Sequence, residues 1–231
     1  GLPGVAGRFS VEQVRAAYRA PLIHSPRTRV VWVENTHNAS GGRIWPLQEI
    51  DELRSLCDEL GLRFHLDGAR VLNAAIGSGE DPATIGRRFD TVTLCLSKGL
   101  GCPLGALLAG SAEVMTNARR MKHLFGGAMR QAGIVAAAGV YALDHHVARL
   151  ADDHTRARQL ALGLAEAGLA VDPDRVETNF VQIDGSPLSK EEAIRVLAEH
   201  GVALSATIHP SVLRAVTHLD VGDADLEGAL E

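Results

Sequence analysis

Aromatic residues are scarce: Phe, Trp and Tyr make up only 4% of the 231 residues. A core therefore has to be built from Leu, Val, Ile and Ala. Cysteines are few as well. Cys57, Cys95 and Cys102 are odd in number and lack CxxC spacing, which argues against a disulfide framework or a zinc knot and fits a reducing cytoplasm. No long apolar run is present. The longest uncharged stretch, near residues 132–143, is rich in alanine and glycine and too short to cross a bilayer. Basic blocks are missing too, and a net charge of −5 argues against nucleic acid as the main partner. Finally, the chain opens on Gly1 and not on Met, so its start is read as other than the native one and carries no information about a targeting signal. What remains is 46% apolar and 22% charged, enough for one large or two small domains with real cores.

Helix and strand signals alternate along the chain, which predicts an α/β fold. Ser10 and Gln13 form a capping-box start for a helix reaching about residue 20. Residues 29–33 read as a strand running into the loop 34–38. Pro46 starts a helix with one apolar face that Gly61 ends, and residues 62–66 form the next strand, terminating in Asp67. A short helix follows Asp81-Pro82, and residues 91–96 form a third strand. Only residues 97–104 separate it from the apolar run 105–109, and a parallel crossover needs more chain than that. The expected sheet is therefore mostly parallel with one reversed strand. Ser111 caps a basic helix, a glycine-rich break follows at 125–129, and two long helical patterns interrupted near His145 and His146 run to about Gly168. Beyond them come a strand at 178–183, a helix from Ser189 to Gly201, strands at 202–205 and 213–218, and a final helix capped by Asp223. This β-α-β-β-α order predicts a separate small domain, giving units at 1–140 and 141–231.

Asp67 and Lys98 both follow predicted strands directly, and ligands of open α/β sheets bind outside the carboxyl ends of strands. An acid and an amine on one rim suit pyridoxal phosphate, whose ring nitrogen needs a carboxylate and whose aldehyde needs a lysine. Lys98 sits between apolar residues and glycines, so burial is expected to lower its pKa from about 10.4 and favour the free amine. Spacing alone leaves a plainer reading open: an exposed lysine opening a loop and an aspartate capping a turn. Arg70 and Arg214 have the fork that suits carboxylates and phosphates, and also suit structural ion pairs. His24, ahead of the first strand, is a candidate base or a structural histidine. The cluster Arg119, Arg120, Lys122, His123 and Arg130 reads as a solvated helix face or a phosphate site.

Taken in order, the segments 34–38 (ENTHN), 65–70 (HLDGAR), 94–101 (LCLSKGLG), 126–133 (GGAMRQAG) and 214–220 (RAVTHLD) resemble the low-specificity L-threonine aldolases, in the β-eliminating lyase branch of fold-type-I pyridoxal-phosphate enzymes. The resemblance runs from about residue 20 to residue 221. It implies that Lys98 forms the Schiff base with the cofactor and that Asp67 pairs with its pyridinium nitrogen. It further implies that Arg70 and Arg214 hold the substrate carboxylate and that His24 lies near the substrate hydroxyl. Arg130 would reach the cofactor phosphate across a subunit interface of a homotetramer built from dimers. The implied reaction is cleavage of L-threonine and related β-hydroxy-α-amino acids to glycine and an aldehyde. β-Elimination, racemisation or transamination on the same scaffold, or an inactive fragment, are the alternatives.

Two departures stand out. Ala128 replaces a glycine of the family pattern GGGMR, and His123 stands where a lysine is usual; both are expected to weaken phosphate affinity. Family members also extend further at the amino end, where a glycine/threonine phosphate cup and a ring-stacking histidine lie. The chain is accordingly expected to be part of a longer protein.

Overall fold

Local signals set the ends of most elements in the computed structural model, which describes residues 1–184, 188–207, 209 and 211–231. The Gln13 N–H donates to the Ser10 hydroxyl at 3.4 Å and the Ser10 N–H donates to the Gln13 side chain at 2.8 Å. This closes the capping box of α1 (Val11–Ala17). The helix stops short of residue 20 because Tyr18 turns to extended backbone. Pro46 precedes α2 (Leu47–Leu60), which buries Ile50, Leu53, Leu56 and Cys57 and ends at Gly61, whose φ of 62° favours glycine. One helix, α3 (Val71–Ser78), has no counterpart among the expected elements; it opens at Arg70 without a side-chain cap. Asp81 caps α4 (Pro82–Gly86), accepting from the Ala83 N–H at 3.3 Å.

The first sheet has the order β1 (Val30–Glu34), β2 (Arg63–Asp67), β3 (Thr91–Cys95), β4 (Ala106–Gly110). The first three strands are parallel and β4 is antiparallel, as the short connection before it requires. Register pairs Glu34 with Asp67 and Asp67 with Thr93. Val31, Val33, Phe64 and Leu66 point into a core shared with α2. The opposite face carries Trp32, His65 and Thr91 in one row and Glu34, Asp67, Thr93 and Leu108 in the next. That face is open: Trp32 is 61% exposed, although parallel sheets are normally covered on both sides.

After α5 (Ala112–Leu124), capped by Ser111, the helices α6 (Gly133–His145) and α7 (Leu150–Glu166) lead to a second, antiparallel sheet. It is ordered β5 (Phe180–Asp184), β7 (Val212–Val216), β6 (Ser205–Ala206), and the strand expected at 202–205 contracts to the two residues of β6. Its inner face, Val181, Ile183, Leu213 and Ala215, packs with Ala157, Leu160 and Ala161 of α7 in a second core. Ser189 caps α8 (Lys190–Glu199). At α9 (Asp223–Leu230) the cap is Gly222 and not Asp223: the Asp225 carboxylate accepts from the Gly222 N–H at 2.7 Å, so Asp223 is already helical. Among the described residues no helix is long and apolar enough to cross a membrane.

A polar network joins the two cores. Asn73 Nδ2 on α3 donates to His154 Nε2 on α7 at 3.1 Å. Asn179 Nδ2 donates to the Thr217 carbonyl at 2.9 Å, and the Thr217 hydroxyl donates to the Asp153 carbonyl at 2.6 Å. The Asp153 carboxylate is fully buried and ion-paired with Arg149. An accepting Nε2 requires a neutral imidazole, and burial pulls His154 down to about 4. The unfolded chain takes up a proton at the ordinary 6.5 while the folded ring refuses it. Its contribution to stability is therefore complete above that pH and is lost as pH falls toward 4. Thermal unfolding of His154→Gln, which keeps an acceptor, is expected to show a flatter pH dependence across this window than the parent. An unchanged slope would place the acid sensitivity elsewhere.

Candidate active site

The carboxyl ends of β1, β2 and β3 form one rim. Asp67 is half-buried on the open face of the sheet, and its Oδ1 accepts from the Ala69 N–H at 3.1 Å, which orients the carboxylate. Beside it, Glu34 Oε1 accepts from the Asn38 N–H at 3.1 Å, and its second oxygen lies 3.8 Å from His37 Nε2. Below Asp67 on the same face, His65 Nδ1 is 2.7 Å from the Thr91 hydroxyl and its ring meets Trp32 edge-on at 4.8 Å.

Lys98 follows β3 in a turn that the backbone defines closely. The Gly101 N–H donates to the Lys98 carbonyl at 2.8 Å and the Cys102 N–H to the Leu96 carbonyl at 3.1 Å. His146 Nδ1 donates to the Leu100 carbonyl at 2.7 Å. Gly99 and Gly101 lie so close to Leu150 and Leu219 that a Cβ would come within 2.8 and 2.9 Å of them. The lysine side chain itself is exposed. This corrects the expectation of a buried amine: Leu96 and Leu100 take the interior positions of the turn and leave Ser97 and Lys98 pointing to solvent.

The two arginines meet. Arg70, at the start of α3, places its guanidinium carbon 4.7 Å from the Phe180 ring centroid, and Arg214, on β7, lies 5.2 Å from the same centroid. Arg214 Nη1 also donates to Asn38 Oδ1 at 2.7 Å. Burial and the neighbouring Arg214 draw Arg70 below the ordinary arginine range, with Glu34, Cys95 and Asp67 opposing the shift; burial lowers Arg214 as well. Among the described residues no carboxylate forms an ion pair with Arg70. A cation held in this way is a site for an anion.

The loop between β1 and α2 makes this meeting possible. Thr178 donates to the Gly42 carbonyl at 2.8 Å, Gln182 to the Ala39 carbonyl at 3.1 Å, and Arg43 pairs with Glu177 at 2.9 Å. The outer face of the second sheet thus lies against the first rim.

Two predicted site residues are not brought in. His24 sits in an exposed turn closed by the Leu22–Ser25 bridge, in a loop rooted where the Thr28 N–H donates to the Arg19 carbonyl ahead of β1. It makes no hydrogen bond or ring contact with the described residues. Arg130 is exposed in the glycine-rich segment before α6, and the basic side chains of α5 are exposed or nearly so. Asn38, Phe180 and Glu34 belong to the site without having been assigned a role. Glu34 and Asn38 carried a signal, because the loop 34–38 follows a strand. Phe180 carried none, since its place depends on how the two sheets dock.

A mostly parallel sheet with one reversed strand and a small α/β unit docked against it is the fold of fold-type-I pyridoxal-phosphate enzymes. Solved structures agree on the fold. A threonine aldolase from Leishmania major matches 99% of this chain and 67% of its own length with a TM-score of 0.79 at 20% identity. An aspartate aminotransferase from Thermus thermophilus matches 95% of this chain and 58% of its own with a TM-score of 0.65 at 21% identity. The chain belongs to the beta-eliminating lyase family, whose model matches residues 2–186. It is 40% identical over 223 residues to the low specificity L-threonine aldolase of Escherichia coli K12, a match covering 95% of this chain. It is also 35% identical over 230 residues to the low-specificity L-threonine aldolase 1 of Arabidopsis thaliana, across 97% of this chain. The chain spans 64% of the length of these curated relatives.

The docking of the loop is testable at Gly42. Its φ is +74°, and a Cβ there would overlap the Thr178 hydroxyl and the Phe180 ring. Gly42→Ala is expected to cost about 1–3 kcal/mol, read as a drop of several degrees in Tm. An undiminished Tm would mean that the loop reaches the second sheet by a different packing.

Proposed function

We propose that this chain is the larger part of a pyridoxal-phosphate-dependent L-threonine aldolase that cleaves L-threonine and related β-hydroxy-α-amino acids to glycine and an aldehyde. The observation that carries the reading is the convergence of Arg70 and Arg214 on one rim with Asp67, beside the strand that leads into Lys98, in a member of this family. The donor set fits the ring end of the cofactor: an oriented carboxylate on one strand and a primary amine after the strand paired with it. When bound, pyridoxal phosphate supplies the electron sink that lets the Cα–Cβ bond break.

The chain's own residues supply the rest. Lys98 provides the amine that holds the cofactor aldehyde. Asp67 keeps the proton on the ring nitrogen. Arg70 and Arg214 bind the α-carboxylate and so fix the rotation about the bond to Cα, setting the breaking bond across the ring. His24 is assigned to take the proton of the β-hydroxyl, which requires its loop to approach the rim. Arg130 is assigned to the cofactor phosphate of a neighbouring copy in a homotetramer, and residues 141–231 to a small domain that carries Arg214. A cytoplasmic setting is in keeping with three free thiols, at Cys57, Cys95 and Cys102.

The test is made in the longer protein that contains these residues. Asp67→Asn is expected to leave the absorption of the lysine-bound cofactor in place. Acetaldehyde release from L-threonine should fall by about two to four orders of magnitude, because an amide cannot hold the ring proton. Near-normal turnover by this variant would sink the assignment of Asp67.

A further inference from the structure

We propose that Phe180 is a positioning residue that sets the two arginines at the spacing required by a single carboxylate, through the face of its ring. The proposal rests on the reading of Arg70 and Arg214 as the carboxylate clamp and adds the element that holds the clamp together. Two guanidinium groups repel each other, and the carboxylates that act on Arg70, Glu34 and Asp67, belong to the rim and form no ion pair with it among the described residues. An attraction that both share makes their proximity less costly. An aromatic face attracts a cation by its quadrupole, and both guanidinium carbons lie within 5.2 Å of the centre of this one ring. In a largely desolvated setting such contacts are at their strongest.

The ring is itself tightly enclosed. Phe180 is only 1% exposed. Its outward side meets the backbone of the β1–α2 loop at Gly42, where no side chain could be inserted. Asn179, its neighbour in sequence, is tied to the Thr217 carbonyl at 2.9 Å. Register places Phe180 opposite Val216 and Gln182 opposite Arg214, so Phe180 and Arg214 share one face of the second sheet at diagonal positions. Arg70 arrives from the other body, at the end of β2. The ring is therefore a surface touched by both halves of the clamp, and its face sets how far apart they stand. A leucine of similar burial fills the volume but offers no such attraction.

The experiment uses the full-length holoenzyme with phenylalanine, mono-, di- and trifluorophenylalanine introduced at position 180, together with Phe180→Leu. Fluorination withdraws charge from the ring face while nearly preserving its shape. We measure kcat and KM for L-threonine, the dissociation constant of glycine by calorimetry, and Tm. The expected result is a progressive rise in KM and in the glycine dissociation constant along the fluorinated series, reaching about tenfold. Within that series kcat stays within about threefold and Tm falls by no more than a few degrees, the cost of a weakened cation–ring attraction. Phe180→Leu should match or exceed the trifluoro variant in KM. A flat series beside a defective Phe180→Leu would show that the ring only fills space and would overturn the proposal. A parent holoenzyme that binds glycine but does not cleave L-threonine would instead overturn the proposed reaction, and the glycine series would still decide the role of the ring.

Discussion

The contact between the β1–α2 loop and the outer face of the second sheet is the constraint on which the site depends. Arg214 belongs to a small sheet with its own core of Val181, Ile183, Leu213 and Ala215. Asp67 and Arg70 belong to the end of β2. These groups share a site because the loop is bound to the second sheet by Thr178, Gln182, Arg43–Glu177 and Arg214–Asn38, alongside the Asn73–His154 link between the cores. Each neutral hydrogen bond of this kind contributes about 1 kcal/mol net. Several of them, over a close backbone approach at Gly42, hold the two layers in register. The lysine turn leans on the same arrangement from the other side, through His146, Leu150 and Leu219.

The chemistry of the rim follows from what the two layers contribute. The first sheet supplies negative charge at its strand ends, Glu34 and Asp67, on a face with little covering. Positive charge comes from both layers, through Arg70 at the start of α3 and Arg214 on β7. The face that carries Asp67 also exposes Trp32 and Leu108. A parallel sheet with one bare side calls for further cover, in keeping with a chain that spans 64% of its relatives' length.

Much of this was legible in the sequence because it is encoded locally. The capping box at Ser10, the stop at Gly61 and the reversal of β4 each follow from a few neighbouring residues. Asp67 could be placed because a strand ends at it. The helix α3 was not legible: its buried residues run consecutively from Val71 to Ala75, Asn73 among them, without a polar–apolar alternation. The exposure of Lys98 depends on which turn residues point inward, and hydropathy alone does not say. Phe180 reads as an ordinary core aromatic until the docking of the two layers is known.

The proposed reaction requires that this rim hold pyridoxal phosphate through Lys98. The sequence contains three lysines, Lys98, Lys122 and Lys190, so the claim can be read directly by borohydride reduction and peptide mapping. The full-length protein is incubated with pyridoxal phosphate, reduced, digested and analysed by mass spectrometry. The account predicts that the added pyridoxyl mass lies on the peptide containing Lys98 and is absent from Lys98→Ala. A label on any other lysine that persists in Lys98→Ala would contradict it.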